Sequence, residues 1–309
     1  MNNQNLIWPE SLNPGDKVAL TAPSSPVSGN VLSAATDSLT FLGLKPVIMP
    51  SCTMHHGYLA GSDVQRAIDV NTAFADTTIK GVFCLRGGYG AMRILPLLDL
   101  ETIRNNPKVF VGYSDITALH TVFNNTCGFI TFHGPMPSNE YTTIDDFTLK
   151  SLTSYIFHDK REIINPSNEN MKVLLPGRCH GILTGGNLSL LVGTLGTPYE
   201  IDTKSKILFI EEVDERPYRI DRSLTQLALA GKFRDCNGII LGAFTGCGTS
   251  HPLNSLSFET VVDEIVLSHN KPVVSNLRAG HIHSQTTLPL GAPIELDLNN
   301  YENPKIYVL

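Results

Sequence analysis

The sequence has no long hydrophobic run and no cluster of basic residues, although 42% of its 309 residues are hydrophobic. A membrane-spanning helix needs about 18 consecutive apolar residues, and no window of the chain approaches that length. The chain carries 23 Lys and Arg against 29 Asp and Glu, and the formal net charge of -6 argues against a nucleic acid as the main partner. We therefore expect a globular protein of one large or two ordinary domains, with neither a membrane nor a nucleic acid as partner.

Cysteine is also sparse, and its spacing argues against a metal site. The six cysteines lie far apart and form no C-x-x-C pair with a neighbouring histidine, so a zinc site is not expected. The residues at the amino terminus lack the basic and apolar segments of a secretory signal. Six reduced thiols without such a signal predict a cytoplasmic protein.

Strand and helix patterns alternate through the first half of the chain. This alternation predicts a parallel sheet with helices on both faces. Ligands in that architecture bind beyond the carboxyl ends of the strands. Strands are predicted at 17–22, 45–49, 81–85 and directly before Ser114, and helices at 31–42, 62–75 and 89–98.

The second half is predicted to form another α/β domain, with a mixed sheet. Its predicted strands are 206–210, 238–241 and 272–275, and a helix is predicted within 185–193. The polar residues 161–178 contain two prolines and lack a clean period, which is typical of a linker. The expected organisation is a flavodoxin-like parallel-sheet domain over 1–160 and a mixed α/β domain over 179–309.

Ser114 lies at a tight turn between a predicted strand and a predicted helix. Such an elbow lifts the hydroxyl clear of the sheet and directs the first N–H groups of the helix toward whatever the hydroxyl attacks. Nucleophilic acyl transfer uses this geometry. The match to the hydrolase elbow G-x-S-x-G is incomplete, because Ile116 stands where the second glycine would be. A serine that only caps the helix is the alternative interpretation.

The glycine-rich loop Arg86–Gly90 directly follows a predicted strand. It lacks the Lys-Ser/Thr of a P-loop and the full spacing of a dinucleotide fingerprint. Its backbone N–H groups would instead suit the oxyanion of a tetrahedral intermediate beside a serine. A loop that needs glycine only for its backbone conformation is the alternative.

Two further segments supply an acid and a base. Glu211 and Glu212 end an apolar strand and point to opposite faces if the strand continues, so only one of them can face a cleft. His281 follows Gly280, and imidazole is a credible general base near neutral pH. A surface carboxylate and a loop histidine are the corresponding structural interpretations.

Taken together, these segments resemble the LD-carboxypeptidase family of serine peptidases, the S66 type that includes murein tetrapeptide carboxypeptidase and the microcin C self-immunity peptidase. The resemblance spans nearly the whole chain in order. The segments that carry it are 85–93, 112–115, 131–136, 185–188 with 196–198, 211–215 with 219–222, and 280–281 with 288–291.

The resemblance implies two α/β domains with a catalytic triad assembled between them. The implied nucleophile is Ser114, the base is His281 and the acid is Glu211. The runner-up assignments, Glu212 and His283, stay open because a register error of one residue reverses the direction of a strand side chain. The implied oxyanion donors are the backbone N–H groups of Asp115 and of Gly87 or Gly88, and no metal or cofactor is implied.

The resemblance also implies a substrate, the cell-wall turnover peptide L-Ala-D-Glu-meso-diaminopimelate-D-Ala, cut before its terminal D-Ala. The free carboxylate of this peptide needs a partner, for which the candidates are Arg86, Arg93 and Arg222. Gly88 and Tyr89 in the glycine loop are further candidate contacts. The family also implies a homodimer.

Two alternatives to this function stay open. The immunity branch of the family would cleave an amide between a peptide or amino acid and a nucleotide-like group, although residues 211–222 resemble the murein branch more closely. A second alternative, from another class, is a non-catalytic protein that captures a small anionic ligand in its glycine loop.

Overall fold

The computed structural model describes residues 6–157, 162–167, 169–248 and 254–309. The chain forms two compact units. The first consists of Met1–Lys160 with Thr287–Gly291, and the second of Arg161–Thr286 with Ala292–Leu309. The structure confirms the predicted class, a two-domain α/β fold with one sheet that is mostly parallel and one that is mixed.

In the described residues, the first unit contains a six-stranded sheet. With strands numbered along the chain, its members are β1 Lys17–Thr21, β2 Lys45–Ile48, β3 Ile79–Cys84, β4 Val109–Gly112, β5 Thr131–His133 and β11 Leu288–Leu290. The first five are parallel in the order β2-β1-β3-β4-β5, and β11 adds to β5 as an antiparallel edge. This order reverses direction between β1 and β3, the position where doubly wound sheets open a crevice for ligands.

Short helices connect these strands and cover the sheet. They are α1 Gly29–Phe41, α2 Asp63–Ala75, α3 Ala91–Ile94, α4 Leu100–Asn105, α5 Thr117–Val122 and α6 Asp146–Ile156. Every residue of β4 is buried, as expected for a parallel strand covered on both faces. Aromatic rings fill the space beside it, and Phe110 of β4 packs edge-to-face on Phe123 with centroids 4.9 Å apart.

The second unit holds a seven-stranded mixed sheet in its described residues. The elements are β6 Lys172–Leu175, β7 Arg178–Asn187, α7 Leu188–Gly193, β8 Ile207–Val213, α8 Pro217–Leu229, α9 Lys232–Asp235, β9 Gly238–Thr245, α10 Phe258–Val261, β10 Val273–Ser275, β12 Pro293–Asp297 and β13 Lys305–Val308. Strands β7 to β10 are parallel, while β6, β12 and β13 join them as antiparallel neighbours. Ile220, Leu224 and Leu227 recur on one face of helix α8 and pack in the core with residues of β8 and β9.

Two segments differ from the predicted domain organisation. Strand β6 lies inside the predicted linker 161–178 and pairs with β10, while residues 161 and 168 of that linker are outside the described part of the chain. Strand β11 belongs to the first unit although it lies late in the sequence. The helix predicted at 89–98 is shorter, because Pro96 belongs to a 3₁₀ turn at Leu95–Leu97 that follows α3.

Each cysteine is a free thiol. Burial raises the pKa of Cys52 to about 12, which leaves that thiol protonated and unreactive.

Among the residues that the structure describes, no helix is both long and apolar enough to cross a bilayer.

A buried histidine joins the end of β4 to helix α5. His120 is fully buried, with Nε2 2.9 Å from the carbonyl oxygen of Gly112 and Nδ1 2.8 Å from Oγ1 of Thr131. A carbonyl only accepts, so Nε2 carries the proton and Nδ1 accepts from the threonine hydroxyl. The same threonine oxygen accepts from Nδ2 of Asn124 at 3.1 Å. The network therefore fits a neutral imidazole, and burial lowers the pKa of His120 to about 4.

We predict that His120 makes the protein sensitive to acid. The unfolded chain protonates this imidazole near pH 6.5 and the folded chain near pH 4, so the unfolded state binds more protons between these values. The contribution to the free energy of unfolding is complete above pH 6.5 and is lost as the pH falls toward 4. Urea titrations across this range should show a weaker pH dependence for His120→Gln than for wild type. The exposed His180 supplies the control variant, His180→Gln, and an unchanged slope in His120→Gln would contradict the prediction.

Candidate active site

Ser114 lies in a strained turn at the carboxyl end of β4. Its φ angle is 65°, in the left-handed region, and it begins a 3₁₀ turn, Ser114–Ile116, that leads into α5. Such a conformation costs a non-glycine residue about 1 kcal/mol or more, and residues of this kind cluster at functional sites. Gly112 makes the turn sterically accessible, because a Cβ there would lie 2.7 Å from Cγ2 of Ile116. The isoleucine that departs from the hydrolase elbow thus packs against the glycine that precedes it.

The glycine loop lies directly against this serine. A Cβ on Gly87 would be 2.9 Å from Cβ of Ser114, 3.1 Å from its Oγ and 3.5 Å from the nitrogen of Asp115. Only glycine permits this approach. The loop backbone therefore runs beside the hydroxyl and the first N–H group after it, an arrangement in which backbone donors could surround a developing oxyanion.

Residues next to the loop explain its remaining glycines and its shape. Gly88 has a φ of 107°, and a Cβ there would collide with Oγ of Ser25. Ser25 also donates its N–H to the carbonyl oxygen of Gly87 at 3.3 Å, and its hydroxyl accepts from the N–H of Tyr89 at 3.2 Å. The segment after β1 thus supports the glycine loop on both sides of Gly88.

In the second unit, Glu211 and His281 form a hydrogen-bonded pair. Glu211 lies on β8 and is fully buried, and its Oε2 is 2.8 Å from Nδ1 of His281. The side chain of His281 is 20% exposed. A carboxylate on Nδ1 holds the proton there and makes Nε2 the unprotonated ring nitrogen, the orientation that a general base requires.

Two backbone features bring this pair together. Gly280 has a φ of 110°, and a Cβ there would lie 2.5 Å from Oε2 of Glu211, so the chain before His281 passes close to the carboxylate. The pairing of β8 with β9 shifts register between Ile210 and Glu212. Such irregularities redirect side chains at strand ends.

The runner-up residues have different partners. Glu212 accepts from Nδ2 of Asn187 at 2.8 Å, and from the N–H and hydroxyl of Ser189 at 2.9 and 2.6 Å. It thereby ties β8 to the start of α7. His283 is exposed, and its backbone carbonyl accepts from Nη2 of Arg278 at 2.5 Å. The geometry therefore favours Glu211 and His281 as the acid and base of a triad.

The candidate arginines differ in their surroundings. Arg93 makes two hydrogen bonds to Oδ2 of Asp63, from Nε at 3.0 Å and Nη2 at 2.8 Å. Arg86 is exposed, with Nη1 3.5 Å from the carbonyl oxygen of Pro26, and Arg222 is exposed on α8. The ring of Tyr89 packs edge-on against Tyr58 with centroids 5.6 Å apart. The guanidinium of Arg93 is already paired with the carboxylate of Asp63. Arg86 and Arg222 are therefore the stronger candidates for binding an external anion.

Several supporting residues were not predicted from the sequence. Ser24 and Ser25 follow β1. Their position at the carboxyl end of the first strand is the sequence feature that could have identified them as site residues. Asn187 and Ser189 carry the usual residue types of a helix start, since Asn187 caps α7 through its side chain. Arg66 on α2 is fully buried and donates to the backbone carbonyls of Pro23 and Gly90. Nothing in the sequence around it indicates this role.

A serine in a strained turn and an imidazole oriented by a carboxylate are the components that serine hydrolases use. The model of the LD-carboxypeptidase N-terminal domain matches residues 18–134, and that of the C-terminal domain matches residues 180–296. The chain belongs to the LD-carboxypeptidase family and is thus a serine-type carboxypeptidase, a hydrolase.

Individual relatives match over nearly the full length of the chain. A probable murein peptide carboxypeptidase of Bacillus subtilis is 41% identical, over 92% of this chain and 89% of that protein. The murein tetrapeptide carboxypeptidase of Pseudomonas aeruginosa is 32% identical, over 92% and 94%. Among solved structures, an MccF-like protein from Bacillus anthracis superposes with a TM-score of 0.87 at 26% identity, covering 98% of this chain and 99% of the other.

We predict that Gly280→Ala separates Glu211 from His281. The added Cβ would meet Oε2 of Glu211, and alanine is strained at a φ of 110°. Carboxypeptidase turnover should fall by on the order of 10²-fold or more, since the imidazole loses its orientation. Gly248→Ala is the control, because a Cβ at this exposed position meets nothing within 4 Å. Steady-state kinetics test the prediction, and wild-type turnover in folded Gly280→Ala would refute it.

Proposed function

We propose that this protein releases the terminal D-alanine from the murein tetrapeptide L-Ala-D-Glu-meso-diaminopimelate-D-Ala during cell-wall recycling. The observation that carries the proposal is the hydrogen bond between Glu211 and His281, in a chain that also holds Ser114 in a strained turn. The names of the Bacillus subtilis and Pseudomonas aeruginosa relatives support the choice of substrate.

The proposed reaction assigns Ser114, His281 and Glu211 to one triad. Nε2 of His281 takes the proton of the Ser114 hydroxyl, whose oxygen attacks the carbonyl carbon of the terminal amide. The imidazolium then gives that proton to the nitrogen of D-alanine as the C–N bond breaks. Water attacks the resulting acyl-enzyme, again with His281 as base, and releases the tripeptide. Glu211 keeps the imidazole oriented and stabilises its cation through both steps.

The oxyanion of each tetrahedral intermediate is assigned to backbone donors of the first unit. The N–H of Asp115, directly after the nucleophile, and the N–H of Gly87 are proposed as these donors. The close approach of Gly87 to Ser114 and to the nitrogen of Asp115 supports this assignment. Donors of this kind are preorganised for the charge of the transition state and do not need to move during the reaction.

The charge of the substrate requires a cationic partner. The tetrapeptide ends in a carboxylate and carries further carboxylates, and a guanidinium binds a carboxylate through two parallel hydrogen bonds. Arg86 and Arg222 are proposed for this role because both are exposed. We also propose that the enzyme is cytoplasmic, because its cysteines are free thiols, and, from the family resemblance, that it works as a homodimer.

A second candidate function is hydrolysis of an amide between an amino acid or peptide and a nucleotide-like group. The likeness to the MccF-like structure from Bacillus anthracis favours it. Capture of a small ligand without catalysis is a weaker candidate, since the Glu211–His281 bond has the geometry of a working general base.

Release of D-alanine from the tetrapeptide tests the proposed reaction and its nucleophile together. Wild type should turn the peptide over, and Ser114→Ala should lower kcat by roughly 10⁴-fold or more, since loss of the nucleophile disables the whole triad. Ser154→Ala is the control, because that hydroxyl donates to the carbonyl oxygen of Ser151 within the same helix, α6. Wild-type activity in Ser114→Ala would refute the assignment.

The same assay separates the two candidate substrates. Tetrapeptide and an aminoacyl-sulfamoyl adenosine are supplied to the same preparation, and the proposal expects a higher kcat/KM for the tetrapeptide. Cleavage of the adenosine compound alone would favour the second function. Binding of either compound by wild type, without any turnover, would favour the non-catalytic one.

A further inference from the structure

Three loops at one edge of the first sheet meet at a single buried carboxylate. The loops follow β1, β3 and β4, which are neighbours in the sheet and parallel, so their carboxyl ends lie side by side. Asp115, after β4, is 1% exposed. Its Oδ2 accepts from the hydroxyl of Ser24, after β1, at 2.6 Å and from the N–H of Ala91, after β3, at 2.8 Å.

A buried cation ties two of the same loops together from helix α2. The guanidinium of Arg66 is fully buried and donates to the carbonyl oxygens of Gly90, at 2.9 Å, and of Pro23. It also pairs with Asp63. Burial raises the pKa of Asp115, and the hydrogen bonds from Ser24 and Ala91 together with the positive charge of Arg66 oppose that rise. A buried carboxyl group and a buried guanidinium thus hold the loops, each with hydrogen-bond partners.

The glycine loop needs such external ties. Positions 87, 88 and 90 are glycine, so the loop has few side chains of its own to anchor it and considerable intrinsic freedom. Its conformation depends on contacts to its backbone: Ser25 at Gly87 and Tyr89, Arg66 at Gly90 and Asp115 at Ala91. Ser25 is itself adjacent to Ser24, so the bond from Ser24 to Asp115 also fixes the segment that supports Gly87.

We propose that Asp115 is a positioning residue. Its carboxyl side chain holds the glycine loop in the place where the N–H of Gly87 stabilises the oxyanion. This inference rests on the proposed function. The backbone N–H of Asp115 is one proposed donor and its carboxylate fixes the loop that carries the other, so one residue sets the distance between them. A displacement of about 1 Å in such a site is sufficient to lower a rate on the order of 10²-fold.

Variants of Asp115 test the two hydrogen bonds. Both donors reach the same oxygen, Oδ2, so Asp115→Asn retains an acceptor for them and should restore most of the kcat that Asp115→Ala loses. Asp115→Ala loses both bonds and should lower kcat on the order of 10²-fold, and Ser24→Ala loses one and should lower it about 10-fold. KM for the tetrapeptide should change little, because oxyanion donors act on the transition state.

Ser38→Ala is the matched control for Ser24→Ala. Ser38 is equally buried in the first unit, and its hydroxyl accepts from the N–H of Tyr141 and donates to the carbonyl oxygen of Ala34. Both variants should lose comparable stability in urea titrations, but only Ser24→Ala should lose kcat. If Asp115→Ala does not fold, Ser24→Ala alone decides the outcome.

Two results would overturn the proposal. One is folded Ser24→Ala with wild-type kcat, and the other is an equal loss of kcat in Ser38→Ala. The Ser114→Ala assay distinguishes failure of the proposed role of Asp115 from failure of the proposed function. An active Ser114→Ala refutes the function, whereas an inactive Ser114→Ala beside a fully active Ser24→Ala refutes only the role of Asp115.

Discussion

The left-handed backbone of Ser114 is the constraint around which the first unit is organised at the carboxyl end of its sheet. A φ of 65° on a serine is unfavourable unless surrounding contacts enforce it. Gly112 leaves space for Ile116 beneath the turn, and Gly87 leaves space for the serine above it. His120 fixes the end of β4 from the buried side. Because these contacts are made by buried residues of the folded core, they hold Ser114 in one backbone conformation. A flexible loop without such contacts could not do so.

Adjacent carboxylates in the second unit show how packing divides roles between residues of the same type. Glu211 and Glu212 are both buried on β8, yet one meets the imidazole of His281 and the other meets Asn187 and Ser189 at the start of α7. Gly280 distinguishes the two glutamates. Because it has no side chain, the segment that carries His281 can approach Glu211. Buried carboxylates persist because each finds hydrogen-bond donors.

Local sequence patterns were sufficient for the architecture, but not for the contacts between the candidate site residues. The alternation of strands and helices predicted the first sheet, and the glycine next to His281 predicted a histidine released from regular structure. Residues 288–290 were expected in the second domain, but they form β11 and pair with β5 of the first unit. Pairing between residues so far apart in the chain leaves no local signal. Strand β6 was likewise hidden in a polar segment. Periodicity could not choose between Glu211 and Glu212, since that choice depends on tertiary partners such as Gly280 and Ser189.

Reaction with a fluorophosphonate tests the central claim, that Ser114 is a nucleophile activated by the Glu211–His281 pair. Peptide mapping by mass spectrometry locates the phosphonyl group, and the rate of labelling is compared between wild type and His281→Gln. We expect a single label on Ser114 and a rate lower by roughly 10²-fold or more in the variant, the usual contribution of a general base. Labelling at another residue, or equal rates in the two proteins, would contradict it.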